Sequence, residues 1–260
     1  MNLLTPRLVP ALLVTLLMMT AVSRGVAPAI DDASNYATWP TGSNGGTGFQ
    51  PWQLTNGSNS GFFIGSSGVI DTGSGTSFGI FANTGDTASA IRPFSPGGDS
   101  SSILEAGQCF SMAFANGTIQ SGSGTVGFGL QNSSGANEMQ LYFIGGQTDY
   151  TLDINSQQID TGIGFTTAGL DITYIQNTGT AFTLDVTPVG GSTSVFNENV
   201  GAADISQVRI FNANAGPGSG ANVYANSLQV IPEASTVGLL ACGVGVLLVW
   251  KRNRRMARRA

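Results

Sequence analysis

Histidine is absent from this 260-residue chain, and lysine occurs once, at Lys251. Cysteine occurs twice, at Cys109 and Cys242, and charged residues make up only 10 % of the total. Each shortage excludes something. Between Ile30 and Ile231 the basic residues are Arg92 and Arg209, against 14 acidic ones from Asp31 to Asp204, a balance of −12. A nucleic acid partner needs a basic footprint that displaces counterions, so nucleic-acid binding is excluded. Without His or Lys in that body, Ser-His-Asp and Ser-Lys nucleophiles are absent, as are His ligands for a metal. Gly75-Thr76-Ser77-Phe78-Gly79 spells Gly-x-Ser-x-Gly, but no His exists to activate its serine, and there is no phosphate loop ending in Gly-Lys-Ser/Thr. Cys109 has no imidazole to activate it and no bridging partner in the body. It reads as a small hydrophobe inside a strand. With no disulfide framework, stability must come from a sizeable core, which about 200 residues can supply.

What is present is glycine, 37 of them, and apolar alternation. Phe110, Met112 and Phe114 alternate in CFSMAFAN. Val126, Phe128 and Leu130 do so in TVGFGLQN, Met139, Leu141 and Phe143 in EMQLYFIGG, and Phe182, Leu184 and Val186 in AFTLDVTP. A period of two places each set on one face of a pleated strand. Turn chemistry separates the runs at Asn116-Gly117, Ser134-Gly135, Gly145-Gly146, Asn177-Thr178-Gly179 and Gly190-Gly191. About a dozen strands are expected, with no helix, and one buried face per strand requires sheets packed face to face. The expected fold is all-β, an antiparallel β-sandwich of jelly-roll or concanavalin-like type over residues 30–230. In ANVYANSLQV the apolar parity switches, which predicts a bulge near Asn226. SGVIDTGSGTS and GPGSGAN read as loops.

The two ends read as addresses. Arg7 gives a positive start, Leu8 to Val22 is apolar, and Ala27-Pro28-Ala29 offers a small-x-small cleavage site, so residues 1–29 are expected to be a signal peptide. At the other end, Val237 to Trp250 is uncharged (237–250). At roughly 1.5 Å per residue it spans about 21 Å, short of the roughly 30 Å hydrocarbon core. The tail 251–260 carries Lys251, Arg252, Arg254, Arg255, Arg258 and Arg259. The positive-inside rule keeps that tail in the cytoplasm and the body outside, a single-pass topology with one transmembrane helix.

This order of Ile231-Pro232-Glu233-Ala234, then Ser235 and Thr236, then an apolar span and an Arg-rich terminus resembles the PEP-CTERM sorting signal of Gram-negative bacteria. In that family the marker is commonly Val-Pro-Glu-Pro; here Ala234 stands at the second proline. GGTGFQPW, GFFIGSS and FNANAGPGSGANVYANSL are also similar to segments of proteins with such tails, which implies no activity. The resemblance implies a partner, an exosortase-type membrane peptidase that cleaves near the marker. It also implies a place at the cell surface or in an exopolysaccharide-containing biofilm matrix. A span marginal as a permanent anchor suits a segment meant for removal.

Three kinds of chemistry remain open to the body. Paired carboxylates hydrolyse glycosidic bonds, but Glu105, Glu138 and Glu198 are the only Glu residues there, and Glu138 is expected at a solvated rim. No cofactor is expected; Asp31, Asp32, Asp71, Asp86, Asp99 and Asp204 could supply oxygen ligands to a structural Ca²⁺, although turn-forming Asp is the default explanation. Tyr36, Trp39 and Trp52, with Phe49, sit among Gly, Asn and Gln in NYATWPTGSNGGTGFQPWQL. They could stack on sugar rings, but closing the core is the favoured reading, since large aromatics dominate core burial. The leading expectation is a secreted, non-catalytic protein with a structural or adhesive role. The alternative is a carbohydrate-binding module for exopolysaccharide, and the third reading is a glycoside hydrolase.

Overall fold

The computed structural model describes residues 25–97, 100–201 and 204–231. All of them belong to one compact unit. The signal-peptide residues before Gly25, the marker residues Pro232 to Ala234, the apolar span 237–250, the tail 251–260 and Asp99 lie outside the described residues.

The described residues form 15 strands and two three-residue 3-10 turns, numbered here in chain order. One antiparallel sheet has the order β13 (Ser194–Asn199), β12 (Ala181–Pro188), β11 (Leu170–Gln176), β6 (Cys109–Asn116), β15 (Val223–Ile231), β4 (Ser77–Ala82) and β3 (Ser60–Gly65), with β1 (Ala29–Asp31) added on β15. The other runs β10 (Gln157–Gly164), β9 (Asp149–Ile154), β8 (Asn137–Ile144), β7 (Thr125–Gln131), β14 (Gln207–Ala213), β5 (Thr87–Pro93) and β2 (Gln53–Asn56). We call these sheet one and sheet two. The molecule is an all-β sandwich of two antiparallel sheets, and among the described residues no helix is long and apolar enough to cross a membrane.

Alternation makes these strands. In β6, Phe110, Met112 and Phe114 are buried while Cys109, Ser111 and Ala113 are half-exposed. The same parity holds along β9 and β12. The inward sets of the two sheets form one cluster, with Phe114 of sheet one 6.2 Å from Phe128 of sheet two. Hairpins close where the sequence offers a left-handed residue: Gly135 at φ 83° joins β7 to β8, and Gly190 at φ 77° joins β12 to β13. The β9–β10 turn has no glycine. Asn155 and Ser156 take φ 51° and 64°, both central positions of a two-residue turn between the paired Ile154 and Gln157.

The parity switch in the last strand is a bulge. Register on β6 shifts between Asn226 and Gln229, and Ser227 takes φ 53°. The bulge divides the other edge of β15 between two partners. Val223 to Ala225 pair with β4, and Leu228 to Val230 pair with β1. Asn226, fully buried between them, ties the two together: its Oδ1 accepts from the Ala33 N–H, and its Nδ2 donates to the carbonyls of Ile70 and Thr76.

Structure begins ahead of Ile30. Val26 is fully buried and bridges Pro96, and Ala29 is the first residue of β1, opposite Val230. The described chain therefore enters and leaves the sandwich at the same end, which we call the tail pole. Asn116–Gly124, Gly145–Thr148 and Ala213–Asn222 connect strands at the opposite pole.

Candidate functional site

The aromatic residues singled out in the sequence do not form a sugar platform, because they are inside. Tyr36, Trp39 and Trp52 are 9 %, 4 % and 1 % exposed and belong to the core cluster. Trp39 packs edge-on against Trp52 at 5.0 Å and Phe62 at 5.4 Å. Burial of such large side chains contributes more here than any surface role would allow. Around them lies a buried polar knot that single-residue reading did not reveal. Arg92 Nη2 lies 2.9 Å from Asp31 Oδ2, with neither side chain exposed. Asp31 also accepts from the Tyr36 hydroxyl at 2.9 Å and the Trp52 indole N–H at 3.0 Å. The Arg92 guanidinium stacks over Phe49 and Trp52 at 5.3 and 5.2 Å and donates to the Ser43 and Gln50 carbonyls. Burial pushes the Asp31 carboxyl up from its ordinary value, and Arg92, Tyr36 and Trp52 pull it back. The knot fastens residues 31–52 to β5. It is architecture.

The other expected carboxylates have local work. Asp32 caps the first 3-10 turn at Ser34 and accepts from Thr72. Asp71 accepts from Ser66, Ser67, Gly68 and Ser77. Asp86 accepts from the N–H groups of Asn59 and Thr87. Asp204 is half-buried. Among the described residues no group of three or more His, Cys, Asp or Glu is placed to hold a metal. Glu138, expected at a solvated rim, is instead buried and accepts from Asn132 Nδ2 at 3.0 Å, because the irregular register at Gln131 turns it inward from the hairpin. Cys109 is free and half-buried in β6, with burial pushing its thiol up. Ile231 closes β15, opposite Cys109 and 49 % exposed.

Surface chemistry gathers on the outer face of sheet two. Strand register aligns Arg209, Gly129, Gln140, Asp153 and Gln158 in one row across β14 to β10. The neighbouring row is Phe211, Gly127, Tyr142, Thr151 and Asp160. Two glycines thus stand on one face of β7. An added Cβ at Gly127 would come within 2.7 Å of Tyr142 Cβ, and one at Gly129 within 3.0 Å of Gln140 Cγ. Bare backbone at these positions lets Tyr142 and Gln140 lean over β7 toward β14. There Phe211 carries the Arg209 guanidinium 4.7 Å above its ring, and Arg209 Nε donates to Ser89 Oγ at 2.9 Å. Tyr142 and Phe211 are 7 % and 6 % exposed yet lie outside the core cluster. The side chains of this face cover them. Burial, and then the charge of Asp153, push the Tyr142 hydroxyl up.

At the β9–β10 side of this face is a groove of about 290 Å³ lined by Gln147, Thr148, Asp149, Thr151, Gln158 and Asp160. Every lining residue carries a polar group, and the hydroxyls, amides and carboxylates converge on the space above two neighbouring strands. Sheet one's outer face differs. Phe63 lies over Gly79 and Gly65, and Phe81 over Gly61, on the edge pair β3–β4, where large rings cover bare glycine backbone.

No protein-family model and no curated protein matches the sequence. Solved structures do. A protein of unknown function from Shewanella oneidensis MR-1 aligns with TM-score 0.55 at 13 % identity, over 83 % of this chain and 90 % of that one. A family 16 glycosyl hydrolase from Mycobacterium smegmatis gives TM-score 0.47 at 11 % identity, over 78 % of this chain and 98 % of that one. The Caenorhabditis elegans galectin LEC-6 gives 0.39 at 9 % identity, over 54 % of this chain and 89 % of that one. Likeness at these identities speaks to the fold.

Proposed function

We propose that this chain is a secreted, non-catalytic β-sandwich protein, delivered to the cell surface or extracellular matrix through its C-terminal sorting signal, with a structural or adhesive role. The observation that carries this reading is where the last described strand meets the marker. β15 completes its ladder at Ile231, and the marker starts there with Pro232 next, a residue with no N–H to continue a ladder. A peptidase of the exosortase type, cutting at or beyond Pro232, would remove the apolar span and the Arg-rich tail without touching β15 or any other strand among the described residues. The span of residues 237–250 holds the chain in the inner membrane until then, with the basic tail in the cytoplasm. Intact mass of the protein recovered from its host tests this: the reading requires a chain ending between Pro232 and Thr236. A chain that retains Arg258 and Arg259 overturns processing and leaves an ordinary anchored protein.

A second reading is favoured by the outer face of sheet two: carbohydrate binding, at Arg209, Gln140 and the adjoining groove rather than at Tyr36, Trp39 and Trp52. Glycoside hydrolysis fits less well. Asp149 and Asp160 share the groove, but a general acid needs surroundings that keep one carboxyl protonated, and no apolar wall lines this space.

A further inference from the structure

Arg92 and Arg209 are the only basic residues among those described, and they are used in opposite ways. Arg92 has a carboxylate, two carbonyls and two rings around it, and nothing of it reaches solvent. Arg209 has one hydrogen bond, from Nε to Ser89, and one ring, Phe211. Its two terminal nitrogens meet no acceptor among the described residues, and the one ion pair found there is that of Arg92. The side chain is half-buried, and burial lowers its pKa with no carboxylate to offset it. A guanidinium fixed at Nε and stacked on a ring holds its outer fork in one orientation, so little side-chain freedom is lost when that fork takes a planar oxyanion.

The rest of the face narrows the ligand. Outward positions beside Arg209 are Gly129, Gln140, Ser89 and Tyr142, with Phe211 under the guanidinium and half-buried Ile91 opposite it on β5. The exposed large hydrophobic residues, Ile30, Val69, Phe165, Val189, Val195 and Ile231, are not among the outward positions of either row. A protein partner would want an apolar centre to its interface; a hydroxyl-rich ligand would not. Asp153 and Asp160 stand on β9 and β10, two and three strands beyond the glycines of β7 and so roughly 10–15 Å across the sheet. They accept hydroxyl protons and repel a second anion. One carboxylate at the β14 side is therefore favoured, and a row of carboxylates is not.

We propose that Arg209 anchors a saccharide site on the outer face of sheet two, specific for a polysaccharide in which carboxylate-bearing sugars are separated by neutral ones. The carboxylate meets the Arg209 fork, and neutral units lie over Gln140, Asp153 and Gln158 toward the groove. This rests on the carbohydrate-binding reading and adds the ligand's charge pattern to it. It is independent of the sorting route.

The test is titration calorimetry of the full chain in detergent with three hexasaccharides: a neutral β-glucan, hyaluronan (uronate alternating with a neutral amino sugar) and oligogalacturonate. A charge-assisted fork is worth about 1.5–3 kcal/mol, or tenfold and more in affinity. Hyaluronan should bind at least about tenfold tighter than either other ligand. Arg209→Gln should erase that margin while far-ultraviolet dichroism and Tm stay put, and Arg209→Lys should restore only part of it. Equal binding of the glucan and hyaluronan, unchanged in Arg209→Gln, overturns the inference but leaves carbohydrate binding standing. Tightest binding of oligogalacturonate overturns the spacing of charge. No binding of any of the three overturns both.

Discussion

Asp31 and Arg92 meet 2.9 Å apart with neither side chain exposed, one on the first strand and the other at the end of β5. The pair holds a long non-repetitive segment, residues 32–52, against sheet two, and Tyr36, Trp52, Ser43 and Gln50 converge on it from within that segment. Removing one partner strands the other charge in the core, at a cost of about 3–5 kcal/mol. Asp31→Asn and Arg92→Met should each lower Tm by roughly 10 °C in a domain of this size. The double variant should recover part of the loss, since no buried charge is then left over. Thermal denaturation of the two single variants and the double variant decides it. Additive losses would mean the two residues stabilise the fold independently.

Acid stability follows from the surface carboxylates. Hydrogen bonds hold Asp86 below its ordinary value; in Asp32 and Asp71 they outweigh burial, which works the other way. A carboxyl whose pKa is depressed by folding contributes stability above the unfolded value, about 3.9, and loses it as pH falls through the folded value. Asp31, raised by burial, takes up its proton earlier in the folded state and acts in the opposite sense. Three groups against one set the sign. With no histidine in the chain, no side chain with an ordinary pKa titrates between pH 5 and 8. Tm should be flat from pH 8 to 5 and fall steadily below about pH 4. A step between pH 6 and 7 would contradict this assignment.

The β9–β10 turn offers the opposite kind of change, a gain. Asn155 and Ser156 both sit at positive φ, a conformation that favours glycine at the second position. Ser156 makes no side-chain hydrogen bond that a glycine would forfeit; its carbonyl takes the one from Gln157. Ser156→Gly should raise stability by about 0.5–1 kcal/mol, or Tm by a few degrees. An unchanged or lower Tm would show that the serine is needed for a contact beyond backbone strain.

Much of the sandwich was legible because β-structure writes its burial with period two. CFSMAFAN gives the inward face of β6 directly, and the parity switch at Asn226 gives the bulge. What was not legible depends on partners far away in the chain. Asp31 looks like a turn residue until β5 brings Arg92 to it. Trp39 and Trp52 suit a core more readily than a platform, and their packing against Phe62 of β3 and Phe78 of β4 decides for the core. Gly127 and Gly129 read as ordinary strand glycines in TVGFGLQN. Their meaning appears once topology seats β7 between Arg209 on β14 and Gln140 on β8.

The sandwich needs a mature chain that begins ahead of Val26. Cleavage at Ala27-Pro28-Ala29 would remove Val26, which is fully buried, and the first residue of β1. It would also break the hydrogen bond from the Ala27 N–H to Ser95 and the two between the Val26 backbone and the Gln108 side chain. The valine alone is worth about 1.5–3 kcal/mol when buried. A second small-x-small sequence, Ala21-Val22-Ser23, lies just upstream, at the end of the apolar stretch. A leader peptidase cutting after Ser23 spares every one of these contacts. N-terminal sequencing of the exported protein should therefore read Arg24-Gly25-Val26. A mature chain starting at Ile30 would mean that the Val26 to Ala29 pairing is dispensable, and its Tm should then match that of a chain carrying those residues.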